Sequence, residues 1–109
     1  MNENKNLLLK YLSMALTYGV VIKEDDDYES VLNTATLEEI MYGELEVKPY
    51  LRLLSNMTEE EKAELFQLMG NGTDIQRIDF YLSHHFDFMG LIPKGLAIEV
   101  KEGNNPYKN

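Results

Sequence analysis

Thr58-Glu59-Glu60-Glu61 constrains the fold more than any other stretch of the chain. A Thr hydroxyl at a helix start accepts a bond from the amide three residues on, and Glu61 can reach back to the Thr58 amide. Three carboxylates in the first turn suit the positive end of the helix dipole. A helix therefore runs from Glu59 to about Met69, and its spacing predicts Leu65, Phe66 and Met69 facing inward. Gly70-Asn71-Gly72 ends it. Thr73 and Gln76 repeat the capping pattern. A second helix is predicted from Asp74 to about Phe88, with Ile75, Ile78, Leu82, His85, Phe86 and Met89 inward and Gly90 as its C-cap.

The N-terminal half reads differently. Leu8, Tyr11, Leu12, Ala15 and Leu16 recur at spacings of three and four, which predicts a helix over Asn4 to Leu16, with Gly19 as terminator. Tyr18 to Lys23 is β-branched and reads as a strand. Asp25-Asp26-Asp27 makes a turn, and Tyr28 to Thr34 reads as the return strand of a hairpin. Thr36 to Val47 fits two readings. Leu37, Ile40 and Met41 make one helical turn with Thr36 as N-cap, or the segment is a third strand, a reading favoured for Glu44 to Val47. Pro49 interrupts what precedes it, and Tyr50, Leu51, Leu53 and Leu54 have the spacing of a short helical turn. Leu96 to Val100 reads as a last strand, and the polar tail from Glu102 to Asn109 as frayed. The sum is one α+β domain over all 109 residues, a small antiparallel sheet with about three helices packed against it.

Charge narrows the function classes. Nineteen acidic residues against ten basic ones give a net charge of -9, a field that repels phosphate backbones and anionic membrane surfaces. Direct nucleic-acid or membrane binding is therefore not expected. From Glu24 to Glu46 there are nine acidic residues and no basic one. Such a run is a solvated surface, a docking surface for a basic protein, or a mimic of nucleic acid. The chain has no cysteine, which excludes disulfides and thiol chemistry. Leu7, Leu8 and Leu9 are followed by Lys10 and Tyr11, too short an apolar run for a membrane helix or a signal-peptide core, so a cytoplasmic protein is expected.

Ser83-His84-His85-Phe86-Asp87 is the one constellation with chemical content. Two imidazoles and a carboxylate are metal ligands, which makes His84, His85 and Asp87 candidates. Adjacent helical positions point about 100° apart, however, and zinc helices space their histidines four apart. His85 falls on the apolar stripe, which suits a half-buried core histidine, and Ser83 lacks a nucleophile-elbow context. The glycines form no phosphate-cradling loop, so no cofactor is implied. Tyr50 and Arg52 are candidate anchors for a protein partner, as are Asp25, Asp26 and Asp27, because Tyr and Arg concentrate binding energy at interfaces.

Two longer motifs carry a resemblance. Val47 to Glu61 is similar to KPYLRPLSSMTEEE, and Leu82 to Glu99 to LNSHHFDYRGLIEKGLALE, in a group of small proteins of phages and mobile elements in gut bacteria. Tyr18-Gly19-Val20 resembles that group's PYGV. The likeness covers about half the chain. Leu53, Phe88 and Met89 depart from it, standing where many members have proline, tyrosine and arginine. The resemblance implies a phage or prophage origin in a bacterial host, a shared scaffold or contact surface around the histidines, and no catalytic residue. Together these readings lead to a non-enzymatic accessory protein that binds a basic host or phage protein, with a metal-binding module and an acidic DNA-mimic inhibitor as alternatives.

Overall fold

A computed structural model describes residues 2–25 and 27–108. Helix α1 (Asn2–Ala15) leads into strands β1 (Val21–Glu24) and β2 (Glu29–Val31), then α2 (Thr34–Met41) and β3 (Val47–Leu51). A 3₁₀ turn over Leu54–Asn56 precedes α3 (Glu59–Asn71), α4 (Asp74–Ser83) and the short β4 (Ile98–Glu99). The fold is α+β, with four α-helices and one four-stranded sheet among the described residues. No helix among them is long and apolar enough to cross a membrane.

The sheet order is β2-β1-β3-β4. β1 and β2 form the expected hairpin, with Ile22 opposite Ser30, and β1 pairs antiparallel with β3. The sheet is nevertheless mixed, because β4 runs parallel to β3 with Tyr50 opposite Ile98. The segment between them contains α3 and α4, and a crossover of that length lets a strand return in the same direction. Tyr11, Leu12 and Ala15 of α1 are fully buried with Ile22, Leu51, Leu82 and Leu91, so α1 covers the sheet with the face its spacing predicts.

Several local expectations change. In α2 the helical reading wins over Thr36 to Met41, but Asn33 is its N-cap rather than Thr36: its side chain accepts from the Thr36 amide at 2.9 Å. Pro49 does not interrupt but lies inside β3 opposite Ile22, and Tyr50 and Leu51 belong to the same strand rather than to a helical turn. A proline is tolerated there because the ladder with β4 starts only at Tyr50, so Pro49 has a strand partner on one side alone. Of the apolar run that mimicked helical spacing, Tyr50 and Leu51 are buried on opposite faces of β3, while Leu53 lies beyond the strand and Leu54 opens the 3₁₀ turn.

Both capping boxes are formed. The Thr58 hydroxyl accepts from the Glu61 amide at 3.1 Å and Glu61 accepts from the Thr58 amide at 2.9 Å; Thr73 and Gln76 repeat both bonds at the same distances. Thr58→Ala is expected to cost about 1 kcal/mol of unfolding free energy, read by urea denaturation followed by circular dichroism. Burial of these helices differs from expectation. Leu65 is half-buried, but Phe66 and Met69 are 79% and 66% exposed, and Ile75 and Ile78 are 80% and 37% exposed. The reason is that α3 packs chiefly against α4 rather than on the sheet. α4 itself stops at Ser83 instead of Phe88, because His85 takes a left-handed backbone (φ 61°) and Phe86 pairs with Arg52. Gly90, expected to cap that helix, lies in the loop beyond it with φ 75°.

The tail also departs from its expected fraying. The Tyr107 hydroxyl donates to the Tyr50 carbonyl at 2.8 Å and accepts from the Val21 amide at 2.9 Å, which ties the tail to β3 and β1.

Candidate functional site

Arg52 follows directly on β3. Its amide donates to the His85 carbonyl and its carbonyl accepts from the Asp87 amide, both at 2.8 Å. This backbone bridge lays the histidine segment along the end of the sheet. The Arg52 guanidinium then turns toward α3 and holds Glu61 with two parallel bonds of 2.8 and 2.7 Å. It also lies 4.3 Å over the Phe86 ring. A forked, charge-assisted pair of this kind is directional and strong. Hydrogen bonding from Arg52 holds the Glu61 carboxyl at about 2, helped by the Thr58 amide and opposed by burial. One glutamate therefore caps α3 with one set of contacts and fastens it to the sheet with another.

The three candidate metal ligands take three separate roles. His84 is the C-cap of α4; its Nδ1 lies 3.2 Å from Glu61 Oε2, and its ring packs at 4.6 Å against Phe80. His85 points elsewhere and stacks on Tyr107 with ring centroids 3.9 Å apart and planes 8° from parallel. Burial, aided by the nearby Arg52 guanidinium and the neighbouring His84 ring, pushes the His85 imidazole down to about 4, so it is neutral near pH 7. Asp87 is 7% exposed, and its two carboxylate oxygens accept from the Leu91 and Ile92 amides at 2.7 and 2.9 Å. Both oxygens thus organise the turn that follows. Among the described residues no group of three or more His, Asp or Glu side chains is arranged to hold a metal ion.

The partner-contact candidates divide. Tyr50 is only 2% exposed, and its hydroxyl donates to Glu29 of the edge strand β2. Burial and that carboxylate push its pKa up to about 12. Tyr50 is thus a core residue that holds the hairpin edge, and Arg52 is engaged by Glu61 and Phe86. Asp25 and Asp27 are exposed at the β1–β2 turn, where Lys23 lies 3.3 Å from Asp27; Asp26 lies outside the described residues. The Ser83 hydroxyl donates to the Phe80 carbonyl at 3.1 Å, an ordinary helical back-bond.

Sequence reasoning missed Glu61 as the partner of Arg52, and Tyr107 altogether. For Glu61 the capping box hid the second role, since the same residue type satisfies both. For Tyr107 the one available signal was an aromatic residue in an otherwise polar tail. No protein-family model, curated protein or solved structure matches the chain.

Proposed function

We propose that this chain is a non-enzymatic accessory protein of a phage or prophage that acts by binding a basic host or phage protein. The observation that carries this reading is the surface made by residues 24–46. Asp25, Asp27, Glu29, Glu38, Glu39, Glu44 and Glu46 are all exposed on it, and the stretch itself contains no cation, although Lys23 just before it lies 3.3 Å from Asp27. Tyr28, Val31, Met41 and Tyr42 are exposed in the same stretch. Carboxylates steer a basic partner to the surface and set its register, while apolar and aromatic side chains supply the area that holds it. The contacts of the histidine segment support the same reading from the other direction, since Arg52 grips Glu61, Asp87 accepts from the Leu91 and Ile92 amides, and the His85 ring stacks on Tyr107.

The test is capture from host lysate on immobilised protein. The wild type is compared with a variant carrying Asp25→Asn, Asp27→Asn, Glu38→Gln, Glu39→Gln, Glu44→Gln and Glu46→Gln. Glu29 is left in place because it holds Tyr50. The expected result is a partner bound by the wild type, released as salt is raised, and lost from the variant. An identical set of partners on both proteins would sink the proposal.

A further inference from the structure

β2 is the outer strand of the sheet, with β1 on one side and no described strand on the other. The hydrogen bonds fix which of its main-chain groups face outward. The Tyr28 carbonyl accepts from the Glu24 amide at 2.8 Å, and the Leu32 amide donates to the Val20 carbonyl at 3.0 Å. Bonded pairs alternate along an antiparallel ladder, so the pair between these two, Ile22 with Ser30, is bonded as well. Tyr28, Ser30 and Leu32 thus turn their main chain toward β1. Glu29 and Val31 turn theirs the other way, and each presents one N–H and one carbonyl along the open edge. Among the described residues nothing pairs with them.

We infer that this edge takes up an extended, cationic segment of the basic partner as a fifth strand, paired antiparallel to β2. The inference rests on the reading of residues 24–46 given above and says how that surface is engaged. Charge selects the occupant. Asp25, Asp27 and Glu29 crowd one end of the edge, and Lys23 is drawn to Asp27. Among the described residues neither Asp25 nor Glu29 has an ion pair. Carboxylates at an edge discourage pairing with a second copy of the same acidic chain, but they attract a basic strand. The register follows from the pleat. Val31 is 53% exposed and Glu29 lies two residues before it, so both side chains stand on one face. An antiparallel segment therefore places an apolar residue beside Val31 and, two residues later, a Lys or Arg beside Glu29. A second cation two residues further on reaches the Asp25–Asp27 turn. The Tyr50 hydroxyl already holds the Glu29 carboxylate, so that acceptor is fixed before the partner arrives.

The test is a titration of the full, isotope-labelled chain at low salt with the blocked peptide Gly-Val-Thr-Lys-Thr-Lys-Gly, followed by nuclear magnetic resonance. The expected result is binding with a dissociation constant on the order of 1 mM. At about 90% occupancy the Glu29 and Val31 amides should exchange about tenfold more slowly, because only the free fraction exchanges. The same peptide N-methylated at Val and at the first Lys keeps its charges and side chains but cannot donate to the edge. It should bind about tenfold or more weakly. No binding of the first peptide up to about 10 mM overturns the inference. Equal binding of the two peptides overturns it as well, while leaving the acidic surface as a docking site that works through charge alone. Because the peptide is synthetic, the outcome does not depend on whether capture from host lysate yields a partner.

Discussion

Tyr107→Ala is expected to lower the unfolding free energy by about 4 kcal/mol, and Tyr107→Phe by about 2 kcal/mol. The difference between the two separates ring from hydroxyl. The ring covers His85 at 3.9 Å, and removing it leaves a gap over an imidazole that burial keeps neutral. The hydroxyl joins the Val21 amide of β1 to the Tyr50 carbonyl of β3 through the tail. Phe keeps the stack but strands one part-buried donor and one part-buried acceptor, the costly way to lose a hydrogen bond. Urea denaturation gives the free energies, and amide exchange adds a local readout, because the Val21 amide should exchange faster in Tyr107→Phe than in the wild type. A Phe variant within about 0.5 kcal/mol of wild type, with Val21 exchange unchanged, would show that the tail does not tie the sheet.

Tyr107 also shows where sequence reading runs out. What was legible was local. Thr58 with Glu61 and Thr73 with Gln76 announce helix starts because both partners lie within one turn, and the α1 stripe of Tyr11, Leu12 and Ala15 carries its own period. The β1–β2 hairpin was legible because its turn and both strands are contiguous. Elements that depend on distant partners were misread. Pro49 sits in a strand because of where β4 begins, almost fifty residues later. His85 leaves the helical path because Phe86 bridges to Arg52 from the far side of two helices. The same holds for the candidate site: His84, His85 and Asp87 are adjacent in sequence, but Glu61, Tyr107 and the amides of residues 91 and 92 decide what each does. Phe66, Met69, Ile75 and Ile78 are the reverse case. Their periodicity correctly marks apolar faces, but periodicity says only that a face is apolar, not that this chain covers it.

Glu61→Gln is expected to cost about 2 kcal/mol near neutral pH, and Glu61→Ala about 3 kcal/mol. Gln keeps an oxygen for the Thr58 amide and removes only the charge that Arg52 grips, whereas Ala removes the cap as well. The Glu61 side chain is 13% exposed, so water does little to replace the lost pairing. The pH profile supplies the sharper readout. The folded carboxyl titrates at about 2 and the unfolded one near 4.5, so as pH falls the unfolded chain takes up the proton first. The contribution of Glu61 is therefore whole above about pH 4.5 and is lost as pH drops toward 2, an effect of order 2 kcal/mol once residual screening is allowed for. His85 acts in the window above. Its folded pKa of about 4 lies below the ordinary 6.5, so again the unfolded chain protonates first and stability falls between about pH 6.5 and 4. The two effects separate by substitution. Glu61→Gln flattens the lower window and leaves the upper one. His85→Asn flattens the upper one, asparagine being chosen because it tolerates the left-handed backbone at that position. Urea midpoints measured across both windows decide the matter: a Glu61→Gln curve that still falls as steeply as wild type below pH 4.5 would mean that the Arg52–Glu61 pair adds no net stability.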